Sequence, residues 1–293
     1  MNRLSYIICI LVLGLGFMLQ ATTFPVENIK LIAHRGESAV APENTMASFR
    51  TAWNGNIAYA IELDVHVTKD NQIVCSHDAT LKRVTQGACT SALKDMTVEE
   101  IKKYDVGSFK DPQFKDERVP LLSEVLDELP QNGRIFLEIK TTNPAFPRLL
   151  KELLDKYPHI KQEQIIVISF QGIALLQLRK EYPGFKHYLL AMIEPSKDPK
   201  VVEEERQAGE FSYVTPEEAI AAIEKYECDG LDAGRLYNLT PEYVAEIHKA
   251  GYEFHTWTID KPEYVALLFK AGVDSVTTNK PTAIYEEVVN LLK

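Results

Sequence analysis

The chain has 293 residues, of which 45% are hydrophobic and 25% are charged, and its formal net charge at pH 7 is −10. This composition excludes a disordered chain, a collagen-like chain and a polytopic membrane protein. The acidic surface would repel phosphate backbones and anionic lipid, so we expect no nucleic-acid partner. An anionic substrate would have to be held by local positive charge.

The first residues have the pattern of an export signal. Arg3 supplies a positive charge, and Tyr6–Leu19 is an apolar run that ends before the polar residue Gln20. The run is shorter than the ~20 residues of a membrane span and suits the core of a signal peptide. We predict a signal peptide over residues 1–21 and a secreted or periplasmic protein without stable membrane insertion of its mature domain. An uncleaved signal-anchor is the alternative.

Short apolar segments alternate with helical patterns from Leu31 to the C-terminus. The predicted strands are Leu31–Ala33, Ala58–Val67, Ile73–Ser76, Arg134–Lys140, Ile165–Phe170, His187–Ile193, Gly230–Ala233, Glu253–Thr258 and Val273–Thr277. Thr68–Gln72 is too short to connect parallel strands, so the third strand should turn back as an antiparallel hairpin. The other eight strands predict an α/β fold, a closed (β/α)8 TIM barrel over residues 29–293. An open doubly wound sheet is the alternative.

Residues 79–120 are too long for an ordinary connection. Thr97 and Glu100 have the spacing of a capping box and predict one short helix there. We therefore predict a small inserted subdomain after the second barrel strand and its hairpin, acting as a lid or a pocket wall. A surface excursion without a role is the alternative. Similar signals predict helix starts at Thr45 and Thr215.

The second strand carries acidic residues on one face. Strand alternation places Glu62, Asp64 and His66 on the same side, and the apolar residues between them on the other. Since the apolar side must face the helices, the acidic side should face the barrel lumen. Neighbouring buried carboxylates repel each other, and a cation relieves that repulsion. A solvated rim with partner lysines is the alternative.

The strand that ends at Lys140 repeats this pattern, because Glu138 shares its face with Lys140. Three carboxylates, from Glu62, Asp64 and Glu138, would then converge in the lumen. Hard oxygen ligands suit Mg²⁺ or Ca²⁺ better than zinc, so we predict one divalent cation. An ion pair between Glu138 and Lys140 is the alternative.

Two histidines stand at strand ends. His34 follows the first strand, at the end of a barrel where enzymes hold their chemistry, and His77 follows the hairpin strand. Imidazoles with a pKa near ~6.5 can accept and donate protons. The planar guanidinium of Arg35 suits phosphate oxygens. We predict His34 and His77 as an acid–base pair without assigning the acid or the base, and we interpret His66 as structural.

An ordered series of motifs resembles the glycerophosphodiester phosphodiesterase family over roughly Lys30 to the C-terminus. The motifs are His34-Arg35-Gly36, Pro42-Glu43-Asn44-Thr45, Glu62-Leu63-Asp64-Val65, Thr68-Lys69-Asp70, His77-Asp78 and Glu138-Ile139-Lys140, with Ser169-Phe170 and Thr256-Trp257-Thr258 further on. Each motif is weak alone, and their order makes the resemblance specific.

The resemblance implies a TIM barrel with an inserted subdomain and repeats the roles given above to the carboxylates and the two histidines. It also implies that Arg35 and Lys140 bind the substrate phosphate and that Trp257 lines the substrate pocket. We group Glu43 with the substrate-binding residues, because it belongs to a family motif and should support the site by hydrogen bonding. Asn279 departs from the family, which often has Asp there, and its lost charge puts an electrostatic role at this position in doubt.

The implied function is metal-dependent hydrolysis of small glycerophosphodiesters to glycerol 3-phosphate and an alcohol, a reaction of lipid and glycerol metabolism. One alternative is phosphodiester cleavage of the phospholipase or lyase type that leaves a cyclic phosphate. The other is a secreted binding module without turnover. The head group, the choice between Mg²⁺ and Ca²⁺ and the oligomeric state are left open by the sequence.

Overall fold

The computed structural model describes residues 24–194, 212–213, 215–236 and 239–293. The predicted signal peptide, residues 1–21, lies outside the described residues and stays a prediction. Across the described segments, the helices are too short or too polar to traverse a bilayer.

Eight parallel strands close into a barrel, because the first strand pairs with both the second and the last. The strands of the described residues are β1 (Leu31–Ala33), β2 (Ala60–Val67), β3 (Ile73–Cys75), β4 (Ile135–Ile139), β5 (Ile165–Ser169), β6 (Lys186–Met192), β7 (Gly230–Gly234), β8 (Glu253–Thr256) and β9 (Ser275–Thr278). β3 pairs antiparallel with β2 and lies outside the parallel series. The predicted TIM barrel and hairpin are confirmed, and the open-sheet alternative is wrong.

Helices connect most of these strands. Those of the described residues are α1 (Met46–Gly55), α2 (Val98–Ile101), α3 (Leu122–Glu128), α4 (Phe146–Leu154), α5 (Gly172–Glu181), α6 (Pro216–Lys225), α7 (Pro241–Lys249), α8 (Pro262–Lys270) and α9 (Pro281–Leu292). The last four each begin with proline, whose fixed φ suits the first helical position. Thr45 and Thr215 cap α1 and α6 through their side chains, as predicted.

Strand alternation divides the apolar residues between two layers. Along β2, Leu63 and Val65 pack outward against the helices, and Ala60 packs inward with Phe136 and Tyr188. The inward apolar residues fill the lower lumen, so the inward positions nearer the C-terminal end of the barrel are left for the polar site. Predicted strand ends differ from the observed ones by one or two residues, since strand ends depend on local hydrogen bonding.

The segment between β3 and α3 has an apolar core of its own. Leu81, Leu93, Ile101 and Val119 are buried together with Val74 of β3. Residues 79–120 therefore pack on the hairpin strand, just beyond which His77 lies. The capping box predicted for α2 is confirmed.

Gly36 occupies a position that only glycine fits. Its φ is +81°, and an added Cβ would lie 2.4 Å from Ser48 Oγ and 2.6 Å from the Ser48 carbonyl carbon. Gly36→Ala should destabilise the protein by roughly 2–4 kcal/mol, from strain plus overlap. Gly87→Ala is the matched control, because Gly87 has φ +93° but open space around it. Urea unfolding of both variants measures the difference; equal losses would contradict the overlap.

Candidate active site

Three carboxylates converge in the upper lumen, as predicted. Glu62 and Asp64 stand on β2, and Glu138 stands beside Asp64 in the register of β4. One ligand oxygen from each residue lies within 4.8 Å of the others. Their exposed fractions are 3%, 1% and 8%, so the alternative of a solvated rim is wrong.

The protonation of these carboxylates is strongly perturbed. Burial and the charges of Asp64 and Glu138 raise the pKa of Glu62 well above its ordinary value. Burial also raises the pKa of Glu138, to about 8, although Lys140 opposes the change. Burial would raise the pKa of Asp64 as well, but the charges of Lys140 and Arg35 hold it well below its usual range. The three groups therefore cannot all ionise without a compensating positive charge.

The donor set fits a hard divalent cation. Asn44 Nδ2 donates a 2.7 Å hydrogen bond to Asp64 Oδ2, which fixes the orientation of this carboxylate. The other oxygen, Asp64 Oδ1, is buried and accepts no hydrogen bond from the described residues. An oxygen-only cluster with one such orphaned atom is compatible with Mg²⁺ or Ca²⁺.

Two basic side chains border the cluster. Lys140 Nζ lies 2.7 Å from Glu138 Oε1 and 3.6 Å from Asp64 Oδ1. Arg35 Nε lies 3.4 Å from Asp64 Oδ2, and the Arg35 backbone N–H donates a 2.8 Å hydrogen bond to Glu62 Oε2. Glu138 thus forms the ion pair with Lys140 and also belongs to the carboxylate triad, so the two interpretations do not exclude each other.

His34 and His77 line the same cavity of about 280 Å³, together with Glu62 and Glu138. Both imidazoles therefore reach one cavity, and their roles as acid and base stay a prediction. His77 Nδ1 lies 2.8 Å from Asp78 Oδ1. The partner of His77 is therefore a carboxylate.

The partner of His34 is Asn279, whose Oδ1 lies 2.7 Å from His34 Nδ1. Asn279 Nδ2 donates a 2.7 Å hydrogen bond to Asp260 Oδ2, which turns the amide oxygen toward the histidine. An amide oxygen can only accept, so Nδ1 carries the proton and Nε2 is left as the acceptor. Asn279 differs from the Asp that the family often has at this position, but its side chain still accepts a hydrogen bond from His34.

The pKa values of the two histidines also respond to their surroundings. Burial and the charge of Arg35 lower the pKa of His34 to about 4. Burial lowers the pKa of His77, against the opposing charge of Asp64 and the hydrogen bond to Asp78. His66, interpreted as structural from the sequence, points Nε2 at the His77 carbonyl oxygen at 3.2 Å.

The opposite wall of the cavity is apolar. Trp257 lines it and packs edge to face on Phe170 with ring centroids 5.7 Å apart. Leu190 and Met192 complete this wall. Glu43 stands behind the site instead, where it accepts a 2.8 Å hydrogen bond from Arg35 Nη1.

Several residues around the site had no predicted role in it. Asn44 was named only as a member of the motif Pro42-Glu43-Asn44-Thr45, whereas it donates a hydrogen bond to Asp64. Asp260 and Arg83 carried no prediction. The signal for Asn44 was its place in a motif, while Asp260 and Arg83 left no signal in the sequence.

The chain is similar to known proteins of one family. Residues 34–283 match the glycerophosphoryl diester phosphodiesterase family. The glycerophosphodiester phosphodiesterase of Caldanaerobacter subterraneus subsp. tengcongensis is 33% identical over 265 residues, which cover 90% of this chain and 97% of that protein. One from Bacillus subtilis is 29% identical over an alignment of 310 residues, covering 97% of this chain and 98% of that protein.

A solved structure shows the same barrel. A phosphodiesterase of Oleispira antarctica, determined in complex with its product sn-glycerol-3-phosphate, has a TM-score of 0.71 to this chain at 25% identity, covering 89% of this chain and 96% of that one. The fold and the matched relatives define a phosphoric diester hydrolase. The chain belongs to the glycerophosphoryl diester phosphodiesterase family.

Proposed function

We propose that this protein hydrolyses glycerophosphodiesters to glycerol 3-phosphate and an alcohol, with one divalent cation, Mg²⁺ or Ca²⁺, held by Glu62, Asp64 and Glu138. The observation that carries the proposal is the joint placement of this oxygen triad and two differently partnered histidines around one cavity. Neither group alone would define the reaction.

The cationic side chains have a direct role in binding. Arg35 and Lys140 stand beside the triad and would donate to the phosphate oxygens, where negative charge gathers during displacement. A bound cation would supply further charge neutralisation at the same oxygens. The apolar wall around Trp257 would face the carbon skeleton of the substrate.

The histidines would move the protons. The nucleophile would be water or the hydroxyl on the neighbouring glycerol carbon. His34 Nε2 would accept its proton, since the hydrogen bond to Asn279 keeps His34 Nδ1 protonated. As the new phosphorus–oxygen bond forms, the bond to the leaving alcohol breaks. His77, whose protonated form Asp78 stabilises, would give a proton to the leaving oxygen. Attack by the glycerol hydroxyl would require water to open a cyclic phosphate afterwards.

Phosphorus NMR of the products tests the proposal. Purified protein is incubated with a panel of choline, ethanolamine, inositol and glycerol diesters, with Mg²⁺ or Ca²⁺ and with chelator. We expect glycerol 3-phosphate in the presence of cation. A cyclic phosphate as the final product would indicate the lyase-type reaction, and no turnover on any diester would indicate a binding module.

Exchanging the two side chains behind His34 should change the pH dependence. With a pKa of about 4, His34 is uncharged and able to accept a proton above that pH, and this ability is lost below it. The double variant N279D/D260N keeps the net charge but brings the carboxylate next to Nδ1. The acid limb of kcat/KM should then move upward by roughly 1–3 pH units, because the carboxylate stabilises the imidazolium. An unmoved limb would contradict the role of His34 as acceptor.

A further inference from the structure

Arg83 of the insertion binds two carboxylates at once. Its Nη1 and Nη2 donate to Glu43 Oε2 and Oε1 at 2.7 and 2.8 Å, and its Nε donates to Asp78 Oδ2 at 2.8 Å. Glu43 and Asp78 come from the two sides of the site, one before α1 and one after β3. One planar guanidinium therefore ties both sides together.

Each of these carboxylates also contacts a side chain that lines the cavity. Glu43 Oε1 also accepts from Arg35 Nη1 at 2.8 Å, and Asp78 Oδ1 lies 2.8 Å from His77 Nδ1. The result is a continuous series of polar contacts from Arg35 through Glu43, Arg83 and Asp78 to His77. Its two ends are the side chains that would bind the phosphate and protonate the leaving alcohol.

We infer that Arg83 is a positioning residue, which sets the distance and orientation between Arg35 and His77 and so makes activity depend on the insertion. This inference rests on the proposed function. Arg83 touches neither the triad nor the cavity of about 280 Å³, so it acts through Glu43 and Asp78.

The geometry explains why this position needs arginine. The guanidinium offers donors in a fixed fork that can meet two carboxylates in different directions, whereas a lysine ammonium is a single point on a flexible stem. Without Arg83, Arg35 could turn fully toward Asp64, whose Oδ2 is already 3.4 Å from its Nε. Asp78 would also be free to rotate away from His77.

Because Arg83 is partly exposed, its positioning role can be tested without unfolding the protein. The side chain of Arg83 is 45% exposed, and exposed ion pairs contribute little to stability. Arg83→Gln should therefore lower Tm by no more than about 4 °C. Lys82→Gln is the matched control, because the neighbouring Lys82 is exposed and the substitution removes the same charge.

The test is steady-state hydrolysis of a glycerophosphodiester at saturating divalent cation. We expect Arg83→Gln to lower kcat roughly 10- to 100-fold, as misplacement of reacting groups does, and Lys82→Gln to leave kcat unchanged. Arg83→Lys should recover little activity. Because Arg83 acts partly through Asp78, the loss of kcat in the double variant R83Q/D78N should be smaller than the product of the losses in the two single variants.

Three results would overturn the inference while the wild type stays active. These are an unchanged kcat in Arg83→Gln, full activity in Arg83→Lys, or losses in Arg83→Gln and Asp78→Asn that multiply in the double variant. If Arg83→Gln melts at a much lower temperature, Arg83→Lys becomes the deciding variant, because lysine cannot span both carboxylates. A wild type inactive on every diester would instead defeat the proposed function.

Discussion

Replacing His34 by alanine is expected to lower kcat by roughly 10²–10⁴-fold, the usual contribution of a positioned acid or base. His34 lines the cavity beside the triad, and its ring is held by Asn279. Its backbone N–H donates to the Thr278 carbonyl oxygen at 2.9 Å, and this contact survives the substitution. The barrel should therefore stay folded while proton acceptance is lost.

His248→Ala is the matched control for this experiment. His248 lies in α7, where its Nε2 pairs with Asp274 away from the cavity, so kcat should not change. The measurement is steady-state kinetics, with circular dichroism to confirm folding. Wild-type turnover in His34→Ala would reject His34 as a member of the site, and the same result in His77→Ala would reject His77.

Replacing Glu62 by glutamine should abolish turnover and yet stabilise the cation-free protein. The pKa of Glu62 lies well above its ordinary value, chiefly because of burial and the charge of Asp64. Folding is therefore favoured when Glu62 is protonated, and this contribution is lost as the pH rises through the folded-state pKa. In chelator above that pH, Glu62→Gln should be more stable than the wild type by roughly 1–4 kcal/mol.

Glu62→Gln also distinguishes a carboxylate cluster that binds a cation from one that only brings three acidic groups together. Added Mg²⁺ or Ca²⁺ should raise the Tm of the wild type through binding to the folded state and leave Glu62→Gln unchanged. Glu99→Gln is the control, because Glu99 is 87% exposed on α2. Thermal unfolding in chelator and in cation measures both effects. A variant that loses stability in chelator, or still responds to cation, would contradict the assignment.

The part of the site that lies on regular strands could be predicted from the sequence. A strand alternates its side chains with a period of two, so Glu62 and Asp64 had to share a face. The parallel register then places Glu138 next to Asp64. His34 was located in the same way, since it immediately follows the first strand.

The supporting residues could not be predicted, because loop conformation sets their positions. Asn44 has φ +53° and turns its amide back to Asp64, while the neighbouring Thr45 caps α1. Arg83 reaches Glu43 across 40 residues, and Asn279 reaches His34 across 245. No period in the sequence encodes such contacts, because they depend on how distant loops are placed in the folded barrel.

The position of the cation tests the central claim most directly. Anomalous scattering from crystals grown with Mn²⁺ or Ca²⁺ would locate the ion. We expect one strong peak bound by oxygens of Glu62, Asp64 and Glu138, at about 2.0–2.6 Å, with the rings of His34 and His77 facing it across the cavity. An active crystal form with no ion between these three carboxylates would contradict the account.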